Sequence, residues 1–392
     1  MRTALVLLTT ALLIGAVAAP AAAAPPAALD DVFLECEYPL TVTDATGEEL
    51  TFEEPPDRIV TTSPSAAQVL WEIGEADRVV GVTEHAQYLD GADDREVVSD
   101  EEGWIDDELV VAAEPDLVLA PNATGTEQVE QLRDLGLTVY HFAEAENLDD
   151  VAAKTGVIGE LVDGCDGAAD TIDWMDERLS IVDGATADEE PVSALYLFFD
   201  FTAGVGTFID ELITRAGADN AAADAGIEDF QPISEEVVVN ASPEWIVLNS
   251  DDPGLPDSEA LNQTTAVQED NVVVVEVEHL NQPAPRNVLA IETLIEHFHP
   301  DAYAAAEEAA ADDADDAVDD ADDAVADDAD DADDAVADDG DDVYDTIADD
   351  VDDADDGAVD DVTEDDEALP GFGPVAALVG TVLGLLLLNR RR

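Results

Sequence analysis

Glu108-Leu-Val-Val-Ala-Ala-Glu-Pro115-Asp-Leu-Val-Leu119 is the stretch on which the fold turns. Its first half has the spacing of a short helix, Pro115 ends that helix, and Leu117–Ala120 is an apolar run of strand length. Glu236-Val-Val-Val-Asn-Ala-Ser-Pro243-Glu-Trp-Ile-Val-Leu248 repeats the arrangement, with the proline again seven residues after the glutamate and an acid again following the proline. Both apolar runs, Leu117–Ala120 and Trp245–Leu248, read as strands buried on both faces, the kind that parallel sheets covered by helices contain. The recurrence predicts two lobes of like build, and a glutamate at the same place on each predicts a partner that grips both at once. The competing reading is two unrelated helix–strand units, with both glutamates ordinary solvated acids.

Working outward, Arg58–Thr62, Val79–Val82 and Thr138–Phe142 read as further strands of the first lobe, separated by helical spacings over Ala66–Ile73 and Glu127–Leu135. Such alternation means a parallel sheet with helices on both faces. Leu148–Val182 has one long helical pattern, interrupted by Gly164-Cys165-Asp166-Gly167, and reads as a stiff connector. Beyond it, Val192–Phe199, Trp245–Leu248 and Val272–Val277 are the strands of a second lobe, and Asn287–His299 a closing helix. The expected fold class is therefore α/β: two Rossmann-like lobes with parallel sheets joined by one long α-helix, plus a disordered acidic stalk and a C-terminal hydrophobic helix. The expected boundaries are a signal peptide (1–24), an N-terminal lead-in (25–56), the N-terminal lobe (57–147), the bridging helix (148–184), the C-terminal lobe (185–300), an Ala/Asp spacer (301–368) and a sorting signal or membrane anchor (369–392). Ligands of parallel sheets bind beyond the carboxyl ends of the strands. That rule makes Ser63, Pro64, Tyr88, Asn122, Phe199, Phe201 and Arg286 candidate ligand-binding residues, with Trp104 a fourth aromatic for the same cleft.

Charge says where the chain works more than what it does. There are 98 acids against 12 bases, a net charge of −86, and Lys154 is the one lysine. Of the acids, 34 fall within 301–368, so the remainder is still strongly acidic. Such self-repulsion opposes a compact fold in dilute buffer but is screened over about 3 Å in molar salt, which identifies a halophilic protein. It also argues against nucleic acid as a partner.

Both ends point outside the cell. Arg2, the apolar run Ala4–Ala19 and the small residues Ala21–Ala24 form an export signal. At the other end, Val375–Leu388 is apolar and closes on three arginines, which would stay cytoplasmic and leave everything before residue 370 outside. The low-complexity Ala/Asp segment before it cannot bury a core and reads as a spacer. Two cysteines in an exported chain, Cys36 and Cys165, are the expected disulfide, with two free thiols as the alternative. No nucleophile elbow, paired-histidine metal motif or phosphate loop is present, so no enzyme and no intrinsic cofactor or metal is expected.

Two resemblances add to this reading. Pro370-Gly371-Phe372, the apolar helix and the basic end resemble the Pro-Gly-Phe C-terminal sorting signal of haloarchaeal surface proteins, in which an archaeosortase replaces the helix by a lipid. Over about residues 56–300, the order of Arg58-Ile-Val-Thr-Thr-Ser-Pro, Val79-Val-Gly-Val, Glu108 through Leu119, Gln131-Leu-Arg-Asp-Leu-Gly-Leu-Thr-Val, Asp219-Asn220, Ser234-Glu-Glu236 and Ala284-Pro-Arg286 resembles the helical-backbone class of ABC-importer substrate-binding proteins, the cobalamin and iron-siderophore binders above all. The resemblance implies a monomer that captures a small-molecule ligand and docks on an ABC permease dimer and its ATPase. Glu108 and Glu236 match the positions at which that class meets permease arginines. It implies cobalamin or a related large metal chelate as ligand, with a ferric siderophore or haem as alternatives. Arg286 is the base this reading places in the cleft, which favours a near-neutral ligand. A surface-layer structural protein is the competing class, motivated by the anchor and spacer, but it leaves the paired glutamates unexplained.

Overall fold

The computed structural model describes residues 34, 36–100, 103–199 and 201–312. The expected export signal, most of the expected spacer and the expected sorting signal or anchor lie outside these residues. Among the described residues no helix is long and apolar enough to cross a membrane.

The chain starts with a hairpin, β1 (Leu40–Thr43) against β2 (Glu49–Phe52), turning through Asp44 to Gly47. The first lobe follows: β3 (Ile59–Thr61), α1 (Pro64–Glu72), β4 (Val79–Val82), β5 (Glu96–Val97), α2 (Asp107–Ala112), β6 (Leu117–Ala120), α3 (Thr126–Asp134) and β7 (Val139–His141). The strands form one parallel sheet in the order β5-β4-β3-β6-β7. All four residues of β6 are buried, as a strand covered on both faces must be. The edge strand β5 escapes the sequence because two residues carry no periodicity.

Two helices cross between the lobes, α4 (Leu148–Val162) and α5 (Cys165–Thr186). The single helix expected over 148–184 is thus split at Asp163, whose backbone is left-handed (φ 60°), and Gly164. Leu148 and Val151 at the start of α4 join the second lobe's core, while Ile158, Leu161 and Val162 at its end join the first. Helix α5 returns the opposite way, from Ala168 in the first core to Met175, Leu179 and Val182 in the second. Gly167, which reads in the sequence as a helix interruption, lies inside α5 instead. A Cβ there would stand 2.1 Å from the Ile73 carbonyl, so only glycine lets α5 cross the end of α1. The connector is stiff because each helix is anchored in both cores.

The second lobe comprises β8 (Val192–Tyr196), β9 (Phe201–Ala203), α6 (Phe208–Arg215), β10 (Ala218–Asn220), α7 (Ala221–Asp224), β11 (Phe230–Pro232), α8 (Glu235–Ala241), β12 (Trp245–Asn249), α9 (Thr265–Glu269), β13 (Val272–Val275), α10 (Val277–Leu280) and α11 (Asn287–Phe298). Its parallel sheet has the order β10-β8-β12-β13, and β9 pairs with β11 antiparallel beside it. Ala-Asp-Asn in β10 has no β-branched residue and is placed by its neighbours.

The two lobes are built alike down to single hydrogen bonds. Asp106 caps α2 by accepting from the Glu108 and Leu109 amides, and Ser234 caps α8 by accepting from the Val237 amide. Each helix ends shortly before a residue of positive φ, Glu114 (48°) or Ser242 (40°), and then the proline. The acid after the proline then accepts from the backbone at the start of the neighbouring strand: Asp116 from the Asp57 and Arg58 amides, Glu244 from the Ser193 amide. The repeated sequence is a repeated structure.

One boundary moves. Residues 300–312, which composition assigns mostly to the spacer, are helical, and Tyr303 is only 4% exposed in the second lobe's core. Tyr303, with Ala306 also packed against that core, docks the first turns of a segment whose composition gives it little else to bury. The cysteines are paired: Cys36 and Cys165 form a disulfide that ties the N-terminal segment to the first residue of α5.

Candidate functional site

A cleft of about 380 Å³ lies between the lobes. Its first-lobe wall is Ser63 and Ser65 at the start of α1, Pro121–Ala123 after β6 and Ala143–Glu146 after β7. Its second-lobe wall is Gly206–Ile209 at the start of α6, Asp229 and Phe230 at β11, and Leu280–Pro283 after α10. Lys154 of α4 forms part of the remaining side. The site therefore sits beyond the carboxyl ends of strands from both sheets, where helix N-termini gather. Ser63 accepts from the Ser65 amide, and Thr207 from the Asp210 amide, so two capped helix starts face one cavity. Each brings partial positive charge to its wall.

Beside the cavity the lobes are tied by a buried polar knot. The Gln68 and Gln282 side-chain amides both donate to the Tyr88 hydroxyl, at 2.8 and 2.6 Å. Gln68 Oε1 accepts from the Arg286 amide at 2.9 Å, and Arg286 pairs with Glu72 of α1 at 2.7 Å. Behind the second wall, Asn249 and Asn281 donate to the Tyr196 hydroxyl (3.1 and 2.9 Å). Burial raises the Tyr196 pKa to about 12, so it stays a neutral hinge of that network.

Of the residues expected in the cleft, Ser63 and Asn122 are on its wall. Pro64 is the buried first residue of α1, directly beside Ser63. Tyr88 is in the interlobe knot, and burial raises its pKa. Trp104 is about half exposed, with its amide on Asp100. Phe199 is also about half exposed, with a left-handed backbone (φ 51°) and its ring 4.6 Å from Phe198. Phe201 opens β9 opposite Pro232. The aromatics that do line the cavity are Phe208 and Phe230.

The expected base is displaced. Arg286 is not on the wall; its guanidinium is held by Glu72, a contact between α1 and the loop before α11 that sequence spacing does not show. The base on the wall is Lys154. It is only 8% exposed, and Nζ donates to the Pro283 carbonyl. Burial lowers its pKa from 10.5 to about 7.

That burial has a measurable consequence. Between pH 7 and 10.5 the unfolded chain holds the Lys154 proton and the folded chain does not, so stability gains from this group as pH rises. The shift corresponds to about 4–5 kcal/mol, and the hydrogen bond to Pro283 is worth about 2 kcal/mol in return. Lys154→Met is therefore expected to be more stable than wild type by about 2 kcal/mol at pH 6. The advantage shrinks as pH climbs to 10.5. Denaturant titrations of both proteins in molar salt at the two pH values check it; equal stability at pH 6 would refute it.

Glu108 and Glu236 are the second residues of α2 and α8, and both are exposed. Gln128 at the start of α3 donates to Asp107, and Ser258, in the loop leaving β12, donates to Glu235. Each helix start is thus held against chain that lies beyond the carboxyl end of the strand following that helix, β6 or β12. Leu109 and Val111 on α2 and Val239 on α8 are exposed apolar residues on the same two helices.

Two matched lobes, a helical connector and a cleft between them define a solute-binding protein. The chain belongs to the periplasmic binding protein family, whose model matches residues 59–277. It is 37% identical over 308 residues to the cobalamin-binding protein of Halobacterium salinarum, covering 75% of this chain and 84% of that one. It is 27% identical to the uncharacterized ABC transporter substrate-binding lipoprotein YvrC of Bacillus subtilis, over 68% of this chain and 87% of that one. Among solved structures, the periplasmic haem-binding protein RhuT from Roseiflexus sp. RS-1 in apo form superposes with a TM-score of 0.57 at 25% identity, over 63% of this chain and 99% of that one. The periplasmic vitamin B12 binding protein BtuF of Vibrio cholerae shares the fold at a TM-score of 0.55 and 24% identity, over 62% of this chain and 97% of that one.

Proposed function

We propose that this protein captures cobalamin, or a related large metal chelate, at the outer face of the cell and delivers it to an ABC permease. The observation that carries the reading is the 37% identity with the halobacterial cobalamin-binding protein, which covers 75% of this chain. The interlobe cleft supports it: walls from both sheets, two aromatics and a few polar groups suit a ligand held mainly by apolar contact. The two exposed glutamates supply one docking carboxylate per lobe for the permease dimer. The protein acts as a monomer, exported and anchored through its C-terminal segment, and carries out no chemistry on its cargo. Haem is the second reading, favoured by the likeness to the haem-binding RhuT.

Titrations of cyanocobalamin, haem and a ferric hydroxamate in molar potassium chloride test this. Cyanocobalamin is expected to bind in the micromolar range or tighter and to bind better than the other two. Preferential binding of haem would transfer the proposal to the second reading, and failure of all three would end it.

A further inference from the structure

Lys154 is the feature that the proposed function leaves unused. It is the chain's one lysine, against 98 acids. Among the described residues, six arginines are paired with carboxylates: Arg78, Arg95, Arg133, Arg178, Arg215 and Arg286. Arg58 is satisfied by the carbonyls of Ala113 and Glu114. Lys154 alone faces the cleft, buried, with a carbonyl and no carboxylate within ion-pairing distance among the described residues. A buried ammonium without a counter-ion opposes folding. In so acidic a chain a carboxylate partner would be the easiest thing to supply.

The surroundings favour an anion at the same place. The starts of α1 and α6 face this cavity with their amide ends, through Ser63, Ser65 and Thr207. The acids on the cavity wall, Glu144, Glu146 and Asp229, are all exposed, where molar salt screens them over about 3 Å. The buried ammonium is screened far less.

We propose that Lys154 is the anion anchor of the cleft: the captured ligand presents one oxyanionic group, a phosphodiester or a carboxylate, to its ammonium. The inference rests on the proposed function and goes beyond it by naming what part of the ligand is read. A corrinoid with its nucleotide loop carries one phosphodiester, cobinamide is the same ring without it, and haem carries carboxylates that a dimethyl ester removes.

The test is a set of paired titrations in molar potassium chloride at pH 6.5, using wild type, Lys154→Met and Lys154→Arg. Wild type is expected to bind cyanocobalamin at least tenfold more tightly than dicyanocobinamide. Lys154→Met should lose the tenfold preference, while its denaturant midpoint at pH 6.5, no lower than that of wild type, shows the fold intact. Lys154→Arg should keep part of it. The same comparison between haem and its dimethyl ester tells a carboxylate from a phosphodiester as the group recognised. If Lys154→Met keeps the wild-type preference, the anchor is overturned while the binding function stands. If wild type binds neither corrinoid nor haem, the ligand class falls and the anchor with it.

Discussion

Replacing Cys36 and Cys165 together by serine is expected to destabilise the protein by about 4 kcal/mol. The bond closes a loop with a sequence separation of 129, for which the loss of unfolded-state entropy comes to about 5 kcal/mol. The loss is somewhat smaller where the reduced, unfolded chain retains structure, and in the folded state the N-terminal segment keeps other attachments. Tyr38 donates to the Glu160 and Leu161 carbonyls at the end of α4, and Leu40, Val42 and Leu50 pack on the first lobe's core. The variant should therefore fold, with the hairpin still docked and the midpoint of thermal unfolding lower by roughly 10 °C. Ligand affinity should stay unchanged, since neither cysteine lines the cleft. Melting curves in molar salt, with the reduced wild type as a second comparison, check the result. A midpoint within 2–3 °C of wild type, or about 1 kcal/mol, would show that the bond holds an already ordered end and contributes little.

The elements of this molecule differ in how well they can be read from residues. Pro115 and Pro243 are legible because proline ends a helix by its own geometry, and Leu117–Ala120 and Trp245–Leu248 because burial on both faces leaves an unbroken apolar run. Strands β5, β9, β10 and β11 hold their places through partners distant in sequence, so nothing local marks them. The site divides in the same way. Ser63 follows from a strand running into a Ser-Pro helix start, and Asn122 from the turn after β6. Arg286 does not follow, because Glu72 and Gln68 reach it from the other lobe. Lys154 sits in an unremarkable helical pattern; its one signal is that a chain with almost no basic residues keeps a lysine there. Tyr88 reads as an aromatic for the cleft, yet two glutamine amides converge on its hydroxyl and make it part of the joint between lobes.

Glu108→Ala combined with Glu236→Ala is expected to reduce uptake at least 100-fold in vesicles carrying the cognate permease and ATPase, with ligand affinity within twofold of wild type. A carboxylate meeting an arginine fork contributes about 1.5–3 kcal/mol when the pair is partly desolvated, so two such pairs account for the loss and each single variant should show roughly its square root. Salt sharpens the argument. In molar electrolyte charges separated by more than about 3 Å scarcely attract, so the protein's general acidity cannot steer it to the permease, and only carboxylates in direct contact retain value. The exposed Leu109, Val111 and Val239 beside the two acids provide the apolar surround that would exclude water from such contacts. Stability should barely change, because both side chains are exposed and the caps at Asp106 and Ser234 remain; loss of an acid from a first helical turn costs about 0.5 kcal/mol. Glu108→Gln with Glu236→Gln separates charge from shape, and should fail in transport almost as fully as the alanine pair. Weakened ligand binding in either double variant would place these glutamates in the cleft's own machinery, and unimpaired uptake would remove them from the docking surface.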